Sequence, residues 1–283
     1  MKQIVKKIGL LTSVLGSLYF LSANTVSAET GQKSFSFGIV PQQSPAKLLS
    51  IWHPILDNIF KSTGIKLEFK TAVDIPAFED ALKNAKYDFS YMNPYHYIHF
   101  NEITGYQALV SKAPDKLSGL IVVHKSSPYQ ALEDLSGVRM VFPSPAAFAA
   151  SLITRAELKK RGIVVEVDYV RNHDSVYANV ASGFAAAGGG VARTLAATKP
   201  DVGNELRVIW HSPDFYSHPI ASHPRVPESV YRKVQQAFIA LADSEDGRAL
   251  LTALKISAFT AVRNSDYDEI RLLDWKDVDG SLQ

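Results

Sequence analysis

Residues 35–40, FSFGIV, alternate large and small side chains in a β-rich run and predict a first strand. The loop PQQSP follows. Leu48, Ile51, Ile55 and Ile59 then recur at helical spacing across 46–62, and Gly64 supplies the stop. Further along, 66–70 predicts a strand, 76–85 a helix, 87–91 a strand, and 95–101 a helix capped by Asn93. Strands at 106–111 and 120–124 flank Pro114, where the chain is expected to cross into a second lobe. A second set comprises strands at 138–142, 164–170, 185–189 and 206–210, with helices at 146–161 and 173–182. Residues 211–220 read as the return crossing. The remainder reads as mainly helical, at 227–243, 245–254 and 267–275.

Strand and helix in alternation predict an α/β fold. The expectation is two lobes, each a mixed, mostly parallel sheet flanked by helices. Residues 29–115 with 218–283 form the first lobe and 116–217 the second. The ligand cleft then lies at the hinge, beside the carboxyl ends of the strands.

The stretch VFPSPAAFAASLITRAELKKRG, 141–162, gives this cleft its chemistry. It reads as a buried strand, a tight turn and a helix, with Ser144 suited to the N-cap and Pro145 to the first helical position. Ala147, Phe148 and Ala149 would then present free backbone N–H groups, and such a helix start favours negative charge. Tyr91, Met92, Asn93 and Tyr95 form a second strand-to-helix turn of the same design. His173 opens a helix after Asn172, beside Asp174, where the helix dipole favours a neutral imidazole. Capped helices, core aromatics and a surface histidine are the plainer readings of the same residues.

The chain starts with Lys2, Lys6 and Lys7, an apolar run over 8–23 and the small residues Val26-Ser27-Ala28, which predict a signal segment, 1–28, removed on export. Removing its three lysines from 30 Lys+Arg leaves 27 against 28 Asp+Glu, a net charge of −1. Nothing there invites nucleic acid or an acidic membrane. The absence of cysteine excludes disulfides, an N-terminal lipid anchor through cysteine and thiolate chemistry. A soluble, monomeric periplasmic protein is the expectation.

Catalytic signals are weak. His96 and His99 are three apart on a helix with no matching carboxylate, so no metal is expected, and no cofactor motif is present. Gly188-Gly189-Gly190 lacks the lysine of a phosphate loop and reads as a close-packed strand end. There is no G-x-S-x-G, and Ser151 lies inside a helix. A secreted hydrolase using His173 and Asp174 ranks last.

Several segments together resemble the periplasmic binding proteins of phosphate/phosphite/phosphonate ABC transporters. They are FGIVPQQSPAKLLSIWHPIL, YDFSYMNPYHYI, LSGVRMVFPSPAAFAASL, VRNHDSVYANVASG and LRVIWHSPDFYSHPIASHPRVP, in that order. The resemblance implies a type II periplasmic-binding fold of two lobes closing on a ligand, and a pocket histidine that matches His173. It also implies a Ser-Thr-Ser run at the second-lobe helix start, which here falls on Ala147, Phe148 and Ala149. An acidic residue of the family falls on Ala186 and a tyrosine on Ile75. The transport role is expected to carry over, with a small molecule as ligand and a membrane ABC permease as partner. A membrane histidine kinase is the alternative partner. With three hydroxyls missing, and Ile75, Tyr91, Met92, Tyr95 and Phe148 around the site, the ligand is expected to be more organic or less charged than a bare phosphorus oxyanion.

Overall fold

The computed structural model describes residues 34–113 and 116–273. The signal segment, the expected lobe boundary at 115/116 and the last two residues of the final predicted helix lie outside them.

Strand β1 (Ser34–Ile39) buries Phe35, Phe37 and Ile39 and leads through the PQQSP loop into α1 (Pro45–Thr63). Leu48, Trp52, Ile55, Leu56 and Ile59 make the buried face of α1, and Gly64 closes it in the left-handed region at φ 71°. Then come β2 (Lys66–Thr71), α2 (Ile75–Lys83), β3 (Phe89–Tyr91), α3 (Pro94–Thr104) and β4 (Gln107–Ala113). The second lobe holds β5 (Gly119–His124) and β6 (Arg139–Phe142), followed by a π-helix (Phe148–Ile153) that runs into α4 (Thr154–Lys160). It continues with β7 (Glu166–Tyr169), α5 (His173–Ala181), β8 (Ala187–Val191), α6 (Ala192–Ala196), α7 (Pro200–Gly203) and β9 (Leu206–His211). The chain returns through β10 (Pro219–Ser222) and ends with α8 (Glu228–Ala240), α9 (Glu245–Ala253), β11 (Ala258–Ala261) and α10 (Asp268–Arg271).

One sheet has the order β11-β4-β10-β3-β1-β2 and the other β7-β6-β8-β5-β9. Parallel pairing is confined to β1 with β2 and β3, and to β6 with β7 and β8. The remaining pairings are antiparallel. Both sheets are therefore mixed and mostly parallel in strand direction, as the sequence suggested: β1, β2, β3 and β4 run one way in the first, and β6, β7, β8 and β9 in the second. The antiparallel pairings come from strands next to the crossings: β10 re-enters between β3 and β4 and runs against both.

The core of the first lobe is aromatic. Phe37 lies 5.5 Å from Trp52 and 5.9 Å from Phe238 between ring centroids. The two crossings meet in an antiparallel bridge, where Leu117 N–H donates to Phe215 O (2.7 Å) and Phe215 N–H donates to Leu117 O (2.8 Å).

The stretch after Ser222 is mainly helical, as expected, and adds the short strand β11, which pairs with β4 and forms the edge of the sheet. Three expectations need correction. The last predicted helix is a single turn, α10. The helix expected from 146 starts at Phe148, with Ala147 at its cap position. Ser144 caps nothing with its side chain: its Oγ has no partner, while its carbonyl accepts from Ala147 N–H (3.2 Å). Ser151 and Leu152 N–H both donate to Ala147 O (2.7 and 3.3 Å), so the first turn is wide.

The strands beneath explain how this wide turn sits so close. A Cβ on Gly119 would stand 2.1 Å from Ala149 O, and one on Gly189 would stand 2.0 Å from Ala150 O. Only glycine lets the backbone of the π-helix rest on β5 and β8 at that distance. The glycine run is therefore the close-packed strand end that the sequence suggested.

Candidate ligand-binding site

The π-helix start faces a cavity between the lobes. From the first lobe Val40, Gln42, Ile75, Asn93 and His218 line it; from the second come Ala147, Phe148, Ala149, Ala150, His173 and Val191. It is tight, at about 10 Å³ as swept by the centre of a water-sized sphere, which is room for roughly one water. Ala149 and Ala150 N–H have no backbone acceptor among the described residues, as expected for the open end of a helix.

Each polar side chain is held in place. Asn93 caps α3 by accepting from His96 N–H (2.7 Å), and its Nδ2 donates across the cleft to Ala146 O (2.9 Å). Behind it, His96 Nε2 lies 2.8 Å from Glu79 Oε1. Asn172 caps α5 by accepting from Ser175 N–H (2.8 Å), which sets His173 at the first helical position. His173 Nδ1 is 3.2 Å from Thr194 Oγ1, and its backbone N–H donates to Gln42 O (2.9 Å) on the facing lobe. Gln42 does more: Arg193 Nη2 donates to its Oε1, and its Nε2 lies 3.0 Å from His218 Nε2. His218 stacks on Tyr91 at 5.3 Å.

His173 is 2% exposed and His218 4%. Burial, with the Arg193 charge second, pushes His173 down to about 3. The same two causes, burial first, hold His218 well below the ordinary histidine range. Both imidazoles are therefore neutral at physiological pH.

Of the ten residues proposed from sequence, Ile75, Asn93, Ala147, Phe148, Ala149 and His173 line this cavity. Tyr91, Met92, Tyr95 and Asp174 do not. Tyr91 is packed between His218 and Trp52, whose centroid is 4.9 Å away. Met92 is fully buried, and its N–H donates to Pro219 O (3.1 Å). Tyr95 stacks on His99 at 5.9 Å. Asp174 ties the lobes together: it accepts from Ser44 N–H (3.3 Å) and lies 3.8 Å from Lys47 Nζ, which also donates to Ala197 O.

Gln42, Arg193 and His218 were missed. Gln42 lies three residues beyond the carboxyl end of β1, and the strand-end rule would have found it. The other two acquire meaning only through Gln42.

A family model described as "ABC transporter, phosphonate, periplasmic substrate-binding protein" matches residues 37–267. The chain belongs to that family. It is 24% identical over 286 residues to the phosphonates-binding periplasmic protein of Escherichia coli (strain K12), covering 92% of this chain and 83% of that one. It is 23% identical over 278 residues to a phosphate-import protein of Mycolicibacterium smegmatis, covering 87% of each. A Prochlorococcus marinus relative, solved in complex with methylphosphonate, superposes with a TM-score of 0.79 at 15% identity. That match covers 85% of this chain and 96% of the other, and it supports the two-lobed fold.

A contact that spans the two lobes favours the arrangement in which it forms. The Lys47–Asp174 pair is partly exposed, and such pairs contribute only about 0–1 kcal/mol. Lys47→Ala is therefore expected to leave the melting temperature nearly unchanged while shifting the population toward open lobes. Small-angle scattering would show a larger radius of gyration; an unchanged radius would remove this contact from the balance.

Proposed function

We propose that this protein captures a small anion carrying an organic group between its lobes and delivers it to a membrane ABC permease by lobe closure. Membership of the phosphonate-transporter family supports the transport role and a periplasmic location. The observation that carries the ligand reading is the helix start itself: Ala147, Phe148 and Ala149 line the cavity with methyl groups and a phenyl ring. Backbone N–H groups and the helix dipole remain to attract a negative head group. Without hydroxyls they leave the oxygens of a bare tetrahedral anion under-bonded. Each lost charge-assisted hydrogen bond costs roughly 1.5–3 kcal/mol. Since the cavity admits about one water, a ligand enters only by separating the lobes.

A thermal-shift panel tests this, because a binder stabilises the native state with the logarithm of its concentration over Kd. Alkylphosphonates and small organic acids are expected to raise Tm, and inorganic phosphate and amino acids to leave it unchanged. A largest shift with inorganic phosphate would sink the reading.

Restoring hydroxyls should reverse the preference. Ala147→Ser with Ala149→Ser is expected to strengthen phosphite binding by about tenfold or more, one charge-assisted bond being enough for that. Calorimetric titration reads the change; equal affinity in the double variant would place the ligand away from this helix start.

A further inference from the structure

Arg193 stands on α6, immediately beyond β8, and reaches across the cleft to the first lobe. Its Nη2 donates to Gln42 Oε1, and it has no carboxylate partner among the described residues. This contact decides which way the Gln42 amide faces. With Oε1 committed to a guanidinium, the NH2 group must be the one 3.0 Å from His218 Nε2. An amide NH2 can only donate, so His218 Nε2 accepts and its ring proton sits on Nδ1. The amide keeps a second N–H in a side chain that lines the cavity.

The surrounding charges point the same way. No Asp or Glu is among the residues that line the cavity. The nearby carboxylate of Asp174 is directed at Ser44 N–H and Lys47. The positive charge of Arg193 reaches His173 and His218, where it opposes protonation. An anion entering this cleft meets the amide donors of the lining and feels the positive charge of Arg193, which stands behind Gln42. An ammonium group would meet the cation and no counter-charge.

We propose that Arg193 makes the site selective for anions that lack an ammonium group, by fixing the donor side of Gln42 and by leaving its own charge unpaired behind it. The inference rests on the reading of this cavity as the ligand site. The ligand class it names is an alkylphosphonate-like or small carboxylate-like anion without an amine.

Titration calorimetry on the full mature chain tests it with methylphosphonate, phosphite and aminomethylphosphonate. Wild type is expected to favour methylphosphonate over its amino analogue by about tenfold or more, as a like-charge contact implies. Arg193→Gln is expected to weaken methylphosphonate by about ten- to a hundredfold and to narrow that gap, in line with loss of a charged partner. Arg193→Lys should recover the discrimination while regaining only part of the affinity, because it keeps the charge and loses the planar fork. Far-UV circular dichroism melts establish that each variant is folded. Arg193→Gln with unchanged affinity and unchanged discrimination would overturn the role of Arg193 alone. Equal binding of the amino analogue by wild type would overturn the selectivity. If folded wild type binds none of the three, the reading of the cavity fails and this inference falls with it.

Discussion

Denaturant titrations are expected to show a marked loss of stability as the pH falls from about 7 to about 5, with His173 as a main source. His173 is buried and its folded-state value is lowered to about 3 from an ordinary 6.5. Below the ordinary value the unfolded chain takes up a proton that the folded chain refuses, so protonation pulls toward unfolding. The stabilising contribution is complete above about 6.5 and disappears progressively down to about 3. At pH 5 the unfolded imidazole has gained about 1.5 pH units of proton binding, or about 2 kcal/mol. His218 acts in the same direction, since its value is also held well below the ordinary one by burial. His173→Gln and His218→Gln should each flatten the dependence of unfolding free energy on pH. Identical slopes in wild type and both variants would assign acid sensitivity to other groups.

Gly189→Ala should be among the most damaging single changes in the protein. The added methyl would stand 2.0 Å from Ala150 O and 2.6 Å from the Phe142 ring. The carbonyl belongs to a backbone that cannot rotate away, so the sheet or the π-helix must shift. Overpacking of this kind costs about 1–3 kcal/mol, and the upper end applies where the obstacle is backbone. For a chain of this size that lowers Tm by roughly 6–12 °C. Ligand affinity should fall as well, because the displaced segment carries Ala147 to Ala150. Gly203→Ala is the matched control: no atom lies within 4 Å of its Cβ position. Calorimetric melts that place both variants within a degree of wild type would show that the second lobe relaxes freely at this contact.

Much of the fold was legible because local pattern and tertiary demand agree. The face made by Leu48, Ile55 and Ile59, the left-handed stop at Gly64, and the caps Asn93 and Asn172 are all local signals. They fall where the structure uses them. Strand β11 escaped notice because its sequence, AFTA, buries only Phe259 and carries no alternation. It exists because β4 offers an edge. The π-helix escaped because Ser144 and Pro145 imitate a standard helix start, while the deciding atoms belong to Gly119 and Gly189, far away in sequence.

The site divides in the same way. Ala147, Phe148, Ala149 and His173 were named from helix-start chemistry and Asn93 from its capping role, and all five line the cavity. Gln42, His218 and Arg193 were not named, because their relation is a bond across the cleft between residues about 150 or more positions apart. Tyr91 and Met92 read as ligand wall because aromatic and thioether side chains beside a turn suit either role; packing against Trp52 and His218 makes Tyr91 core.

The bridge between Leu117 and Phe215 has a mechanical consequence. Two separate tethers would let the lobes twist, slide and bend independently. Two tethers bonded to each other form a narrow ribbon, soft to flexing across its plane and stiff to shear along its length. If the lobes close as proposed, such a ribbon would guide the rotation toward a single angle, and the spacing between surface points on opposite lobes would follow that angle. A membrane partner that touches both lobes can gauge occupancy from that single spacing, with no contact to the ligand itself.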